Sequence, residues 1–405
     1  MTAKTASVLL LMLLFFCAAS QAETPPIING TITPIKSRIE GIISNTHQQH
    51  MWATEDGGIC VLVAGTKNTE NGLNAYCTHD GGGTWKNVCS TKKTANRPKA
   101  DIFYDDSTLR VAYPGSNGNL MYQSFFYQQV SGKWTARDSL TLYSSKNNTA
   151  DKATLTVDTQ GRTWFTAKIT NNKTKESLIG IGYLEGNKAR ILDRTLGTKN
   201  TSSRKSGRIL TLSNGVGIVY TDGPNEKDSM YTLNWAYHLD EWPAETWIDK
   251  EIHKFSSADG EQDLDGVHYS AVTDSQDVAH IATTANGNTL YYFKIWGLDN
   301  FNSAPTPLGE SKEYIKISTS SDDNVYIARA YKTNEYFQVI EIIQSSDHGA
   351  SFQPKNELHY RPTENLGNPR LEMPSHVSSM IPLVRQIDLS PGIFGLVYFE
   401  DSLIQ

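Results

Sequence analysis

What most constrains this chain is a unit that recurs along it. The unit is a strand, a turn carrying Asp or Asn, a second strand, a polar loop and an aromatic-rich third strand. It is clearest in HYSAVTDSQDVAHIATTANGNTLYYFK, residues 268–294. KADIFYDDSTLRVAYPGSNGNLMYQSF repeats it almost without gaps, and five other stretches carry longer, shorter or truncated versions. The second strands end at Ala64, Ala112, Ala167, Tyr220, Ala282, Ala328 and Tyr398. Their spacing stays near the roughly 40–50 residues of one four-stranded blade with insertions. No stretch sustains a helical period. The nearest, WPAETWIDKEIHKF (242–255), reads as a short surface helix or turn. Seven units predict an all-β, seven-bladed β-propeller. Six blades follow if the truncated last unit is discounted. A β-sandwich is the rival, but its strands would not regroup in fours. PPIINGTITPI (25–35) alternates like a strand and is expected to close the ring on the last blade, leaving no raw sheet edge.

The first 22 residues stand apart. One lysine, the apolar run SVLLLMLLFFCAA and the small residues of SQA have the layout of a secretory signal peptide, too short for a membrane span. Residues 23–405 are expected to form a single domain that is secreted or periplasmic, without membrane insertion and monomeric. The formal charge is −6 and becomes more negative once Lys4 leaves, which argues against a nucleic-acid binder. Three cysteines remain: Cys60, Cys77 and Cys89. Export permits a disulfide, and the odd count leaves one thiol over. The sequence leaves open whether Cys77 pairs with Cys60 or Cys89. No His stands at zinc-ligand spacing among them.

Two stretches share one pattern: Thr78-His79-Asp80-Gly81-Gly82-Gly83-Thr84-Trp85 and Ser345-Ser346-Asp347-His348-Gly349-Ala350-Ser351-Phe352. Each follows a third strand. The carboxylate is expected to accept backbone N–H bonds across the turn, glycine to permit the reversal, and the aromatic to anchor the blade. The pattern resembles the Asp-box, or BNR repeat, of the sialidase-like β-propeller superfamily, and the blade pattern extends that resemblance over most of the chain. The resemblance implies a structural turn on the face away from the ligand mouth. VDTQGRTW has the wrong acid-to-glycine spacing and falls between first and second strands, so it is not a third copy.

The mouth is expected where innermost strands begin, because residues of different blades converge there. Counting back along each unit gives His50, Lys99, Lys152, Arg204 to Ser206 (with Lys205), His268 and Tyr314, with His47 slightly upstream. In an acidic protein these positions are mostly basic, imidazole or phenolic. They suit an anionic ligand, and an acidic extracellular polysaccharide is the expected partner. The resemblance also reaches propeller-type polysaccharide lyases. β-Elimination needs a cation on the uronate carboxylate, a base and an acid. Lys152 or Arg204 would neutralise, His268 or His50 would take the proton, and Tyr314 would return one. His47, His50, Lys99 and Lys205 would bind the ligand, and no metal is required.

Sialidases of the resembling family carry an Arg-Ile-Pro element in the first blade. Here THQQHMWATEDG places His47 and Gln48 there, and SRIEG (37–41) lacks the proline and lies too far upstream. Sialidase activity is therefore not expected. The competing readings are a lectin-like propeller and a cell-envelope interaction scaffold. Trp235, Tyr237, Trp242 and Trp247 supply aromatics, read chiefly as blade packing. DGEQDLDG spaces Asp259, Glu261, Asp263 and Asp265 two apart, a weak calcium signal without the glycine and distal glutamate of an EF-hand. An acid at the mouth there would keep a hydrolase reading open.

Overall fold

The computed structural model describes residues 46–400, apart from 65–71, 92–93, 95–98, 202–204, 224–229, 257–267, 286–288, 303, 312–313, 335–336, 361–369, 379 and 387–393. The 1–22 leader, the 25–35 closing strand, Arg204 and the 259–265 acidic run therefore lie outside the described residues. Among the described residues, no helix is long and apolar enough to cross a membrane.

The chain is a β-propeller. Six sheets of four or five strands follow in sequence, with innermost strands Met51–Ala53, Asp101–Asp105, Asn148–Val157, Ser206–Leu212, Tyr269–Thr273 and Lys316–Ser320. We number these blades 1 to 6. Each is an antiparallel meander from the axis outward, because consecutive strands pair through short turns. Second strands read as apolar runs for a physical reason: both their faces are covered by neighbouring blades. Ile59–Ala64 and Gly215–Asp222 are buried at every position. The outermost strand of blade 2, Lys133–Tyr143, is mostly exposed and correspondingly polar.

Seven full blades are not supported. After blade 6 comes a three-stranded sheet of Arg370–Glu372, Met380–Gln386 and Phe394–Glu400. The truncated seventh unit, LVRQIDLSPGIFGLVYFE, predicts a first strand at Leu383 and a second ending at Tyr398. The strands holding them are the second and third of this sheet. Its first strand, Arg-Leu-Glu, is too short and too charged to show a β pattern. Leu371, Met373, Ile381 and Leu383 pack on blade 6, while Val384 packs on Met51, Ile59, Val61 and Val63 of blade 1. The sheet thus sits between the first and last complete blades. His376–Val377 adds a parallel strand beside the innermost strand of blade 6.

The segment 242–255 is no helix. Thr246 N–H closes a turn on the carbonyl of Pro243 (2.8 Å), and Ile248–Ser256 is the outer strand of blade 4. Trp235, Tyr237 and Trp247 are buried there, as packing residues. Cys60 and Cys77 form the disulfide, across directly opposed positions of two strands of blade 1. The Cys89 thiol is free, and burial pushes its pKa up to about 12.

The two Asp-containing turns are superimposable in their bonding. Asp80 Oδ1 accepts from Thr84 N–H (2.8 Å) and the Thr78 hydroxyl (2.7 Å), and Oδ2 accepts from the Thr84 hydroxyl (2.7 Å). Asp347 does the same with Ser351 and Ser345. In each turn the first hydroxyl also accepts a glycine N–H, from Gly82 or Gly349. Gly349 has φ +79°, and a Cβ there would collide with the Tyr292 hydroxyl, so only glycine fits. Further carboxylates tie adjacent blades on this face. Glu55 holds Tyr104 and Ser107, Asp277 holds Ser213, and Asp323 holds Ser275.

The Thr84 and Thr78 donors hold the Asp80 carboxyl at about 2. A depressed carboxylate stabilises the fold above its unfolded pKa of about 4, and that contribution is lost as pH falls through the folded value. We expect Asp80→Ala to cost about 1 kcal/mol at neutral pH, the usual scale of a hydrogen-bonded turn. In thermal melts the gap from the parent should be constant above pH about 4 and narrow toward pH 2. A gap independent of pH would contradict this account.

Candidate functional site

The end of the ring where innermost strands begin is organised around a buried polar segment. Residues 46–50 pass across the axis before entering blade 1. The Gln48 side-chain amide donates to the carbonyls of Lys99 (2.9 Å) and Ala153 (2.7 Å). Gln49 reaches the carbonyls of Met51 and Met373, and its backbone N–H donates to Asp101. The Lys316 ammonium donates to the carbonyls of Thr46 and Gln48 and pairs with Glu372 at 3.0 Å. Glu372 also meets His50 Nδ1 at 2.8 Å. Asp101 pairs with Arg208 at 2.7 Å and accepts Leu155 N–H at 2.9 Å. All these side chains are buried. Burial raises the Asp101 carboxyl against the pull of Arg208, and it lowers the Lys316 ammonium against the pull of Glu372.

Above this layer, blades 2, 3 and 4 bring Lys99, Lys168 and Lys205 together, with Lys152 next to Asp151 in the chain. Lys99 lies 3.4 Å from Asp151, and Lys205 pairs with Asp222 and donates to the carbonyl of Thr198. Lys168 comes from the second strand of blade 3, where its register partner is Asp151. Burial lowers the Lys168 ammonium, and Lys99 and Lys205 lower it further while Asp151 opposes them. Lys152 is buried and has φ +51°, a left-handed conformation costly for a residue with a Cβ. The cause is a β-bulge. Pairing shifts between Thr166 and Lys168, leaving Lys152 and Ala153 opposite Ala167 alone. Among the described residues, Lys99 and Lys168 both lie in the field of Asp151, and Lys205 is paired with Asp222.

On the opposite half, His268 immediately precedes the innermost strand of blade 5, and Tyr314 stands two residues before that of blade 6. Their ring centroids are 5.1 Å apart. The Arg370 guanidinium lies 5.0 Å from the Tyr314 ring centroid, in cation–π geometry. His47 stacks on Tyr269 at 5.6 Å.

Of the sequence-derived positions, Lys99, Lys152 and Lys205 fall in the lysine half, and His268 and Tyr314 fall in the other. His47 lies beside the axis, and His50 belongs to the interior network with Glu372. Lys168 and Arg370 were not among those positions. Lys168 is on a second strand, and only the bulge register brings it to Asp151. Arg370 opens the strand whose pattern was too short to read.

A cavity of about 1130 Å³ opens on the far face and is a different place. Gln49 and Arg208 form its floor, and Glu55, Asp56, Asp105, Asp274 and Asp277 are among its walls. These acids already serve turns and blade clamps, and the cations that motivate an anion site are at the other end. On that basis the lysine and His268–Tyr314–Arg370 face is the candidate site. Asp274, Asp323 and His348 come within metal-ligand distance of one another. Asp274 is occupied by His280 and two backbone N–H groups, and Asp323 by Ser275, so structural bonding accounts for them.

No known family profile and no curated protein matches this chain. Among solved structures, a PL25 ulvan lyase bound to -[GlcA(1-4)Rha3S]- aligns over 89% of this chain and 94% of its own, at 10% identity and TM-score 0.46. The fucose-specific lectin of Aleuria aurantia aligns over 78% and 96%, at 12% identity and TM-score 0.49. Trypanosoma rangeli sialidase with 2,3-difluorosialic acid aligns over 76% of this chain but only 56% of its own, at 12% identity and TM-score 0.48. The likeness is one of fold.

Removing one member of a buried ion pair strands the other. Lys316→Met should therefore cost about 3–5 kcal/mol in denaturant unfolding. The double variant Lys316→Met, Glu372→Leu should recover part of that loss, although Glu372→Leu also removes the partner of His50. A Lys316→Met variant as stable as the parent would show that the axial pair is not structural.

Proposed function

We propose that this protein is an exported propeller that binds an acidic polysaccharide across the face where its innermost strands begin, and cleaves it by β-elimination. The observation that carries the reading is the contact of His268, Tyr314 and Arg370, drawn from three sheets, at the same end of the ring as the lysine half. Elimination from a uronate breaks the C5–H bond, forms a C4=C5 double bond and expels the C4 oxygen. The carboxylate must be neutralised for C5–H to become acidic. Lys152, supported by Lys168, supplies positive charge for a carboxylate, and Arg370 supplies a second cation beside Tyr314. His268 is the base for the C5 proton, and the Tyr314 hydroxyl protonates the departing oxygen. Lys99, Lys205 and His47 hold neighbouring parts of the chain. His50 is buried against Glu372, which favours a supporting role over that of base. Arg204 is retained as a further neutralising group on sequence grounds alone.

The strain at Lys152 supports function over packing. A left-handed lysine costs of order 1 kcal/mol or more and persists where its surroundings over-determine it. Glycine would relieve that cost.

Three outcomes are expected when purified protein is incubated with a panel of uronate polymers and ultraviolet absorbance of unsaturated product is followed. The parent should generate absorbance on at least one polymer. His268→Ala should reduce the rate by about 10²–10⁴-fold. Lys152→Gly should lower turnover by about 10²-fold while its unfolding free energy stays within about 1 kcal/mol of the parent. Intact activity in His268→Ala would refute the assignment of the base. Retained binding with no absorbance on any polymer would make the protein a lectin.

A further inference from the structure

A second basic site lies away from the axis, in a cleft of about 370 Å³ between blades 2 and 3. The floor of this cleft is polar. The Tyr122 side chain, 4% exposed, has Arg110 and Asp138 as electrostatic neighbours and Ser124 and Thr163 as hydrogen-bond partners. Ser124 and Thr163 are also buried. Three guanidinium groups line the cleft, those of Arg110, Arg137 and Arg162, against one carboxylate, Asp138.

The pairing of these groups gives the cleft its sign. Arg110 is held by Asp105, and Arg162 by Asp158 (2.6 Å) and Asp240 (3.3 Å). None of those three acids lines the cleft. They fix the two arginines from behind. Asp138 accepts from the Ser124 hydroxyl at 3.2 Å, and its own N–H donates back at 3.1 Å. Arg137 lies 4.0 Å from the Phe126 ring centroid and, among the described residues, has no carboxylate partner. A bulge explains why neighbours Arg137 and Asp138 reach one cleft. The pairing of blade 2 shifts between Gln123 and Phe125, so the two residues stand opposite Ser124 alone.

We infer that this cleft is a binding site for an oxyanion, the sulfate or carboxylate group of an acidic sugar or the free anion itself. Two guanidiniums held from behind are pre-organised donors, and the planar fork of a third is available for bidentate recognition. Arg110 and Arg162 are half-buried, which strengthens their pull on an anion relative to an exposed lysine. The site does not depend on the elimination chemistry assigned to the mouth.

The test is isothermal titration of the full chain, at constant ionic strength, with inorganic sulfate, a sulfated monosaccharide and its unsulfated counterpart. Arg137→Gln removes the cleft's unpaired cation, and Lys152→Gly alters the mouth. Arg137 is exposed on an outer strand, so the variant should melt with the parent. Sulfate binding weakened at least tenfold in Arg137→Gln and retained in Lys152→Gly is expected. Tighter binding of the sulfated sugar than of inorganic sulfate would identify a sugar-borne group, and the reverse a free anion. Loss confined to Lys152→Gly, or absence of any sulfate binding by the parent, would overturn the inference while leaving the lyase assay unaffected.

Discussion

The ion pairs at the axis are the constraint on which the rest of the structure depends. Asp101 with Arg208 joins blade 2 to blade 4 across the centre. Lys316 with Glu372 and His50 joins blade 6, the three-stranded sheet and the segment entering blade 1. Buried charges in low dielectric are poor sources of net stability, since desolvation offsets most of the attraction. Their value here is geometric. Each charged group tolerates few positions, so the pairs fix which innermost strands face each other and how far apart they stand. Apolar contacts between blades are less particular and would allow sheets to slide. The glutamines complete the layer by satisfying carbonyls that the widening ring leaves open.

Much of this fold was legible in the sequence because propeller blades stack in one dimension. Each second strand is covered on both faces, so it announces itself as an apolar run. The hairpin turns need particular acids and glycines, as at Asp80 and Gly349. The last sheet was misread for a reason specific to it. Arg-Leu-Glu exposes no alternation over three residues, and its glutamate looks like a surface group. Glu372 is in fact buried, because its partners arrive from His50 and Lys316, 322 residues away in one case. Long-range pairing of that kind leaves no local signature. The cysteine pairing was similarly undecidable by spacing. Register settles it, since Cys60 and Cys77 are directly opposed while Cys89 is opposite Ala75.

The candidate site was legible only in outline. Counting to the first residue of each innermost strand finds side chains that precede the strands, such as Tyr314 and His268. It cannot find Lys168, which enters from the second strand because a bulge shortens one side of the ladder. It also missed Arg370, since the strand that carries it was itself unrecognised. Sequence periodicity therefore locates a propeller's mouth better than it enumerates the residues there.

The lysine half poses an electrostatic problem that the protein has not removed. Lys99 and Lys205 lower the pKa of Lys168, and burial lowers both Lys168 and Lys205. Asp151 and Asp222 offset part of it. A fold selected only for stability would substitute one of these lysines with a neutral residue at little structural cost, because Lys99 is well exposed and Lys152 sits in a backbone conformation that glycine prefers. A bound anion would stabilise the charged form of every lysine in the group at once. That reasoning also separates the two ends of the ring. On the far face Glu55, Asp80, Asp277 and Asp323 are each matched to a hydroxyl or an N–H group of the protein itself. At the mouth, among the described residues, Lys99 and Lys168 share the field of one carboxylate, Asp151.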